Sequence, residues 1–78
     1  MNHQEIETLV LKILTLVLKS PVSPESARDN TQQWDSLKQI EILFAVEDEL
    51  GLQFSEQELA EMNSVSRIVE VALSRYAP

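Results

Sequence analysis

Apolar residues in this chain recur at spacings of three and four in separate stretches, and nowhere do they alternate with polar ones over a sustained run. That pattern specifies helices and leaves no material for a half-buried strand. The single glycine, Gly51, reinforces it, because hairpins and phosphate-binding loops both depend on glycine at special backbone positions. The expected fold class is therefore all-α. At 78 residues the chain is one domain, 1–78, and its core depends on packing alone, since it contains no cysteine. The same absence rules out thiolate metal sites and cysteine nucleophiles, and it fits a reducing compartment such as the cytoplasm.

The periodicity places a first helix over about 4–19, with Ile6, Leu9, Val10, Ile13, Leu14 and Val17 on one face. Glu5 and Glu7 in its first turn and Lys19 in its last suit the helix dipole, and Pro21 ends it. Residues 20–35 read as a long polar loop of the kind that is functional or mobile. Ser23 and Pro24 within it have the pattern of a single helical turn, cap then first position. A second helix spans 36–50, and Gly51 stops it in a left-handed conformation. Ser55 and Glu58 form a capping box that opens a short helix to about residue 61. A last helix over 65–76, capped by Asn63 or Ser64, turns Val65, Ile68, Val69, Ala72, Leu73 and Tyr76 to the core. The sum is a small four-helix bundle of three longer helices and one short, with a long loop between the first two.

Thirteen acids face six bases, a net charge of −7, and between Lys38 and Arg67 there is no Lys or Arg. That surface repels nucleic acid and anionic lipid, and it either attracts basic patches on other proteins or is only a solvated face that aids solubility. The most apolar stretch of the first helix is interrupted by Lys12 and Thr15 and is too short to span a bilayer. No run resembles a secretion signal, and no twelve-residue loop with a central glycine offers a calcium site. These features predict a soluble monomer with protein partners, without nucleic acid, membrane or metal.

The second helix carries two apolar arcs. At roughly 100° per residue, Ile42, Leu43, Val46 and Leu50 share one, while Leu37, Ile40 and Phe44 share another nearly opposite Val46. A helix with one buried side needs only the first. Glu41, Glu47 and Asp48 border the second, as expected of a docking strip with apolar contact for affinity and charge for steering. The competing reading buries both arcs, with Leu37 or Ile40 partly covered by the long loop. A fully buried Phe44 would favour it.

Ser36 opens this helix. Either Asp35 caps the first turn, or Ser36 itself does so with Gln39 completing a capping box. Lys38 sits in the turn that disfavours a cation. A catalytic role for Ser36 needs a general base, and the one histidine, His3, stands at the chain's start. A helix tip does favour a phosphate, through its free N–H groups and dipole, so a phosphate ester on Ser36 would be well placed.

Asp35-Ser36-Leu37, followed by Ile40-Glu41-Ile42 and Glu47-Asp48-Glu49-Leu50-Gly51, resembles the acyl carrier protein signature. The order of helices fits that family along most of the chain. The resemblance implies a non-enzymatic carrier. Ser36 would hold a 4′-phosphopantetheine arm taken from coenzyme A by a phosphopantetheinyl transferase, with Asp35 as the helix cap beside it. Leu37, Ile40, Glu41, Phe44, Glu47 and Asp48 match the family positions that meet partner enzymes. Those partners would be an acyl- or aminoacyl-loading ligase and downstream acyl-transfer enzymes with basic patches. Carriers of fatty acid synthesis usually have a small residue and an acid where this chain has Trp34 and Lys38. They also have Asp-Leu-Gly in the loop that here holds Asn30-Thr31-Gln32-Gln33. Trp-Asp-Ser-Leu is closer to stand-alone carriers of specialised pathways. Two alternatives stay open: the housekeeping fatty acid carrier, and a small acidic adaptor with no prosthetic group.

Overall fold

In the computed structural model, which describes residues 2–76 and, of Tyr76, the backbone only, Asn2 begins the first helix by a reciprocal cap. Its side chain accepts from the Glu5 N–H at 2.8 Å while its own N–H donates to the Glu5 carboxylate at 3.0 Å. This box fixes α1 (His3–Leu18) one residue earlier than the periodicity placed it. At the other end, Lys19 takes a left-handed conformation, φ 55°, and its N–H returns to the Thr15 carbonyl. The stop is thus Lys19 itself, and Pro21 lies beyond it.

The remaining elements are a 3-10 turn at Arg28–Asn30, α2 (Ser36–Leu50), α3 (Glu56–Glu61) and α4 (Val65–Tyr76). The all-α bundle of three longer helices and one short is what the chain adopts, with no strand among the described residues. Gly51 stops α2 at φ 66°. Ser55 opens α3 by its capping box with Glu58, and Ser64 caps α4 by accepting from the Arg67 N–H. Asn63 donates instead to the Ala60 carbonyl. The helical turn expected at Ser23 and Pro24 is a reverse turn, closed by the Ser26 N–H on the Ser23 carbonyl, and the loop's short helical piece forms at Arg28–Asn30 instead.

Helix α1 is the spine, in contact with both α4 and α2. Ile6, Val10, Ile13 and Leu14 meet a core completed by Ile42 and Val46 from α2 and Val65, Ile68, Val69 and Ala72 from α4. Leu9, Val17 and Leu73 are only half-buried at its margin, Val71 is buried as well, and the Tyr76 side chain lies outside the described residues. Each fully buried aliphatic side chain contributes about 1.5–3 kcal/mol by leaving water.

The long loop is not a loose strap. Arg28 N–H donates to the Asn63 carbonyl at 2.8 Å and Val65 N–H to the Ser26 carbonyl at 3.0 Å, a single antiparallel bridge between Ala27 and Ser64. Asn30 ties the segment to itself, its Oδ1 accepting from the Ala27 N–H and its Nδ2 donating to the Glu25 carbonyl. Trp34 then plunges into the core, 2% exposed. Its indole Nε1–H donates to Gln39 Oε1, and Gln39 Nε2 donates to the Met62 carbonyl at 2.8 Å. Gln39 is the sole buried polar residue among the described residues, and both ends of its amide are satisfied. The loop's apolar anchor is therefore Trp34. Leu37 and Ile40 are not packed under the loop as the competing reading would have it, and of the two Ile40 is the more covered, at 51% exposed.

Gln39→Leu should orphan both the indole N–H and the Met62 carbonyl. At about 1–3 kcal/mol for each buried group left unpaired, urea denaturation followed by Trp34 fluorescence should show a loss of at least about 1 kcal/mol, and an unchanged midpoint would mean that the bridge contributes nothing. A second prediction concerns Glu58, which accepts from Arg75 Nε at 3.0 Å and from the Ser55 N–H. The Arg75 guanidinium first, and the Ser55 N–H next, hold its carboxyl down to about 2. A folded-state value below the ordinary 4.5 means that the stabilisation is fully present above that pH and is lost as pH falls toward about 2. Thermal melts of wild type and Glu58→Gln should therefore differ near neutrality and converge below that window.

Candidate functional site

The first turn of α2 settles which residue caps it. Asp35 has extended backbone, and its Oδ1 accepts from the Lys38 N–H at 2.9 Å. Ser36 is then the first helical residue, and it is exposed. Gln39 plays no part in a capping box, being occupied by Trp34 and Met62. Lys38 in the same turn is offset by Glu41, whose carboxylate lies 3.5 Å from its Nζ.

The Ser36 hydroxyl accepts a hydrogen bond from Arg28 Nη2 at 2.7 Å. A guanidinium is a permanent donor and takes no proton. The side chain that bonds the Ser36 hydroxyl is therefore one that cannot act as its general base. Arg28 was not singled out by sequence reasoning. It lies eight positions away in a polar loop, and only the pairing of Ala27 with Ser64 brings it to the helix tip.

Down the outer face of α2, Leu37 is 64% exposed, Ile40 51% and Phe44 61%. These are three of the four large apolar side chains exposed among the described residues, the fourth being Leu16 on α1. Ile42, Leu43, Val46 and Leu50 of the same helix are buried. The two arcs thus separate into an inner and an outer one, as the wheel indicated, and the exposed Phe44 argues against burial of both. Glu41 and Asp48 stand exposed along the outer strip. Glu47 is different: it is half-buried, and its carboxylate accepts from the Phe54 N–H at 2.7 Å, closing the turn that leads to α3. Beside the strip, Gln39, Ile40, Leu43, Phe44, Leu59 and Ala60 line a largely apolar cleft of about 310 Å³ between α2 and α3.

The sequence does not assign Gln39, Trp34, Phe54 or Met62 to the core, yet all four are buried. A signal existed for Gln39, which falls four and seven positions before Leu43 and Val46 and hence on the inner arc. Trp34 was equally visible as the one large apolar residue of the loop between Val22 and the motif. Among the described residues, no group of three or more His, Asp or Glu is arranged to hold a metal ion, and no helix is long and apolar enough to cross a membrane. No protein-family model matches the chain, and no curated protein matches it either.

The outer strip should be separable from the fold. Phe44→Ala should change stability by no more than about 0.5 kcal/mol, as for an exposed site. Ile42→Ala, two positions earlier on the inner arc, should cost about 2–5 kcal/mol. Chemical denaturation of the two variants checks both figures, and a large loss at Phe44 would mean that the strip is part of the core.

Proposed function

We propose that this chain is an acyl carrier protein that is not itself an enzyme, bearing a 4′-phosphopantetheine arm on Ser36 and serving a specialised biosynthetic pathway in the cytoplasm. One observation carries the reading: an exposed serine hydroxyl at the tip of α2, with a guanidinium at 2.7 Å and an exposed apolar strip running away from it. The donor set fits a phosphodiester, since the neighbouring donor is cationic and the Asp35 carboxylate is engaged by the Lys38 N–H.

In attachment, Ser36 supplies its oxygen to a transferase that brings coenzyme A and Mg²⁺. The Oγ–phosphorus bond forms, the phosphorus–oxygen bond within the coenzyme A diphosphate breaks, adenosine 3′,5′-bisphosphate leaves, and the hydroxyl proton passes to a base of the transferase. Once bound, the arm supplies a terminal thiol that holds an acyl or aminoacyl group as a thioester. The chain's own residues orient and recruit. Asp35 holds the helix tip, and Leu37, Ile40 and Phe44 offer apolar contact. Glu41 and Asp48 steer basic partners, a loading ligase among them, over roughly 8–10 Å at ordinary salt. Glu47 contributes to the same acidic field while its carboxylate stays tied to Phe54. The cleft between α2 and α3 is where an acyl chain could withdraw from water.

Incubation of the apo-protein with coenzyme A and a broad-specificity phosphopantetheinyl transferase should add one arm, read as one mass increment, and Ser36→Ala should add none. Asp48→Lys should slow loading while leaving helicity unchanged, and added salt should slow the wild type. A wild-type chain left unmodified by several such transferases would instead favour the adaptor with no prosthetic group.

A further inference from the structure

Resting on that carrier reading, we propose that Arg28 is the residue that holds the phosphate of the arm, and so sets the direction in which the arm leaves Ser36. The chain has three arginines. Arg67 binds the carboxylates of Glu61 and Glu70, and Arg75 binds that of Glu58. Arg28 alone binds no carboxylate among the described residues, although acids outnumber bases by thirteen to six. Its side chain spends its bond on the neutral hydroxyl of Ser36. Its backbone explains why it stays: the Arg28 N–H is tied to the Asn63 carbonyl, and Ala27 is paired with Ser64. The guanidinium is thus delivered to the helix tip by main-chain bonds that do not involve α2.

A guanidinium has five N–H donors in a planar fork, and Ser36 takes one of them. A phosphodiester on Oγ places two non-bridging oxygens, which share one negative charge, two bonds beyond the atom that Nη2 already touches. Arg28 can then exchange a neutral acceptor for a charged one, in the two-pronged geometry that arginine forms and lysine does not. Arg28 also lines a groove of mixed polarity with Asp29, Trp34, Glu61, Asn63 and Arg67. A phosphate held by Arg28 roots the arm on this side of the helix tip, next to the bridge between the loop and the start of α4. It also gives an acidic protein a local countercharge for an added anion.

The test compares apo- and arm-bearing protein. In the wild type, a hydrogen-bond correlation between the Arg28 side-chain N–H groups and the arm's phosphorus should appear by NMR, and it needs no variant. The arm should also shift the melting temperature more favourably in the wild type than in Arg28→Gln, by about 2–4 °C. Arg28→Lys should recover part of that difference, and high salt should shrink it. A purely structural Arg28 would lower both melting temperatures equally and leave their difference unmoved. Equal apo-to-loaded shifts in wild type and Arg28→Gln, with no phosphorus correlation, would overturn the inference while leaving the carrier reading intact. Failure of the wild type to accept any arm would overturn both.

Discussion

The buried amide of Gln39 is the joint on which the candidate site depends. It accepts from the Trp34 indole on one side and donates to the Met62 carbonyl on the other. Three segments meet there: the end of the long loop, the first turns of α2, and the chain between α3 and α4. A side-chain amide inside an apolar core is costly unless both ends are bonded, and here both are. Because the bond geometry is specific, the joint sets where α2 begins relative to the loop as well as adding stability. Ser36 lies two residues from Trp34 and three from Gln39, so the helix tip that the Asp35 cap defines is held against the core by that joint.

A second set of bonds reaches the same tip from the other direction. The pairing of Ala27 with Ser64 carries Arg28 to the Ser36 hydroxyl. The loop between α1 and α2 is therefore a built element with its own turn, 3-10 piece and anchor, and its polar composition reflects side chains that bond its own backbone. The outer face of α2 is free of these demands. Leu37, Ile40 and Phe44 are left in solvent because Trp34 fills the space beneath the loop and Ile42, Leu43, Val46 and Leu50 fill the space against α1. The result is an apolar strip that the fold does not consume, starting beside the exposed Ser36 hydroxyl.

Much of this was legible in the residues. Helix boundaries were marked by local chemistry: Asp35 and Gly51 around α2, and Ser55 and Glu58 at α3. Each works within a few positions, so a reader of the chain finds them without knowing the fold. The two arcs of α2 were legible for the same reason, since helical geometry alone assigns them. What escaped was long-range. Arg28 meets Ser36 only through a bridge to the start of α4, and Gln39 meets Met62 across 23 positions. The role of Glu47 was half legible: its charge placed it on the acidic rim, but its bond to the Phe54 N–H depends on how the chain turns after Gly51. Asn2 was a local signal that went unread, and α1 begins there for the ordinary reason that a side-chain amide can satisfy a first-turn N–H.

The account stands on Ser36 being a place of attachment in the living cell. The most direct measurement is the intact mass of the protein purified from the cells that make it, followed by fragmentation to locate any added group among its eight serines. The account predicts a chain heavier than its sequence by one phosphopantetheine, with or without an acyl group, and fragments that place it on Ser36 alone. A population consisting only of the unmodified chain, or an arm found on another serine, would contradict it.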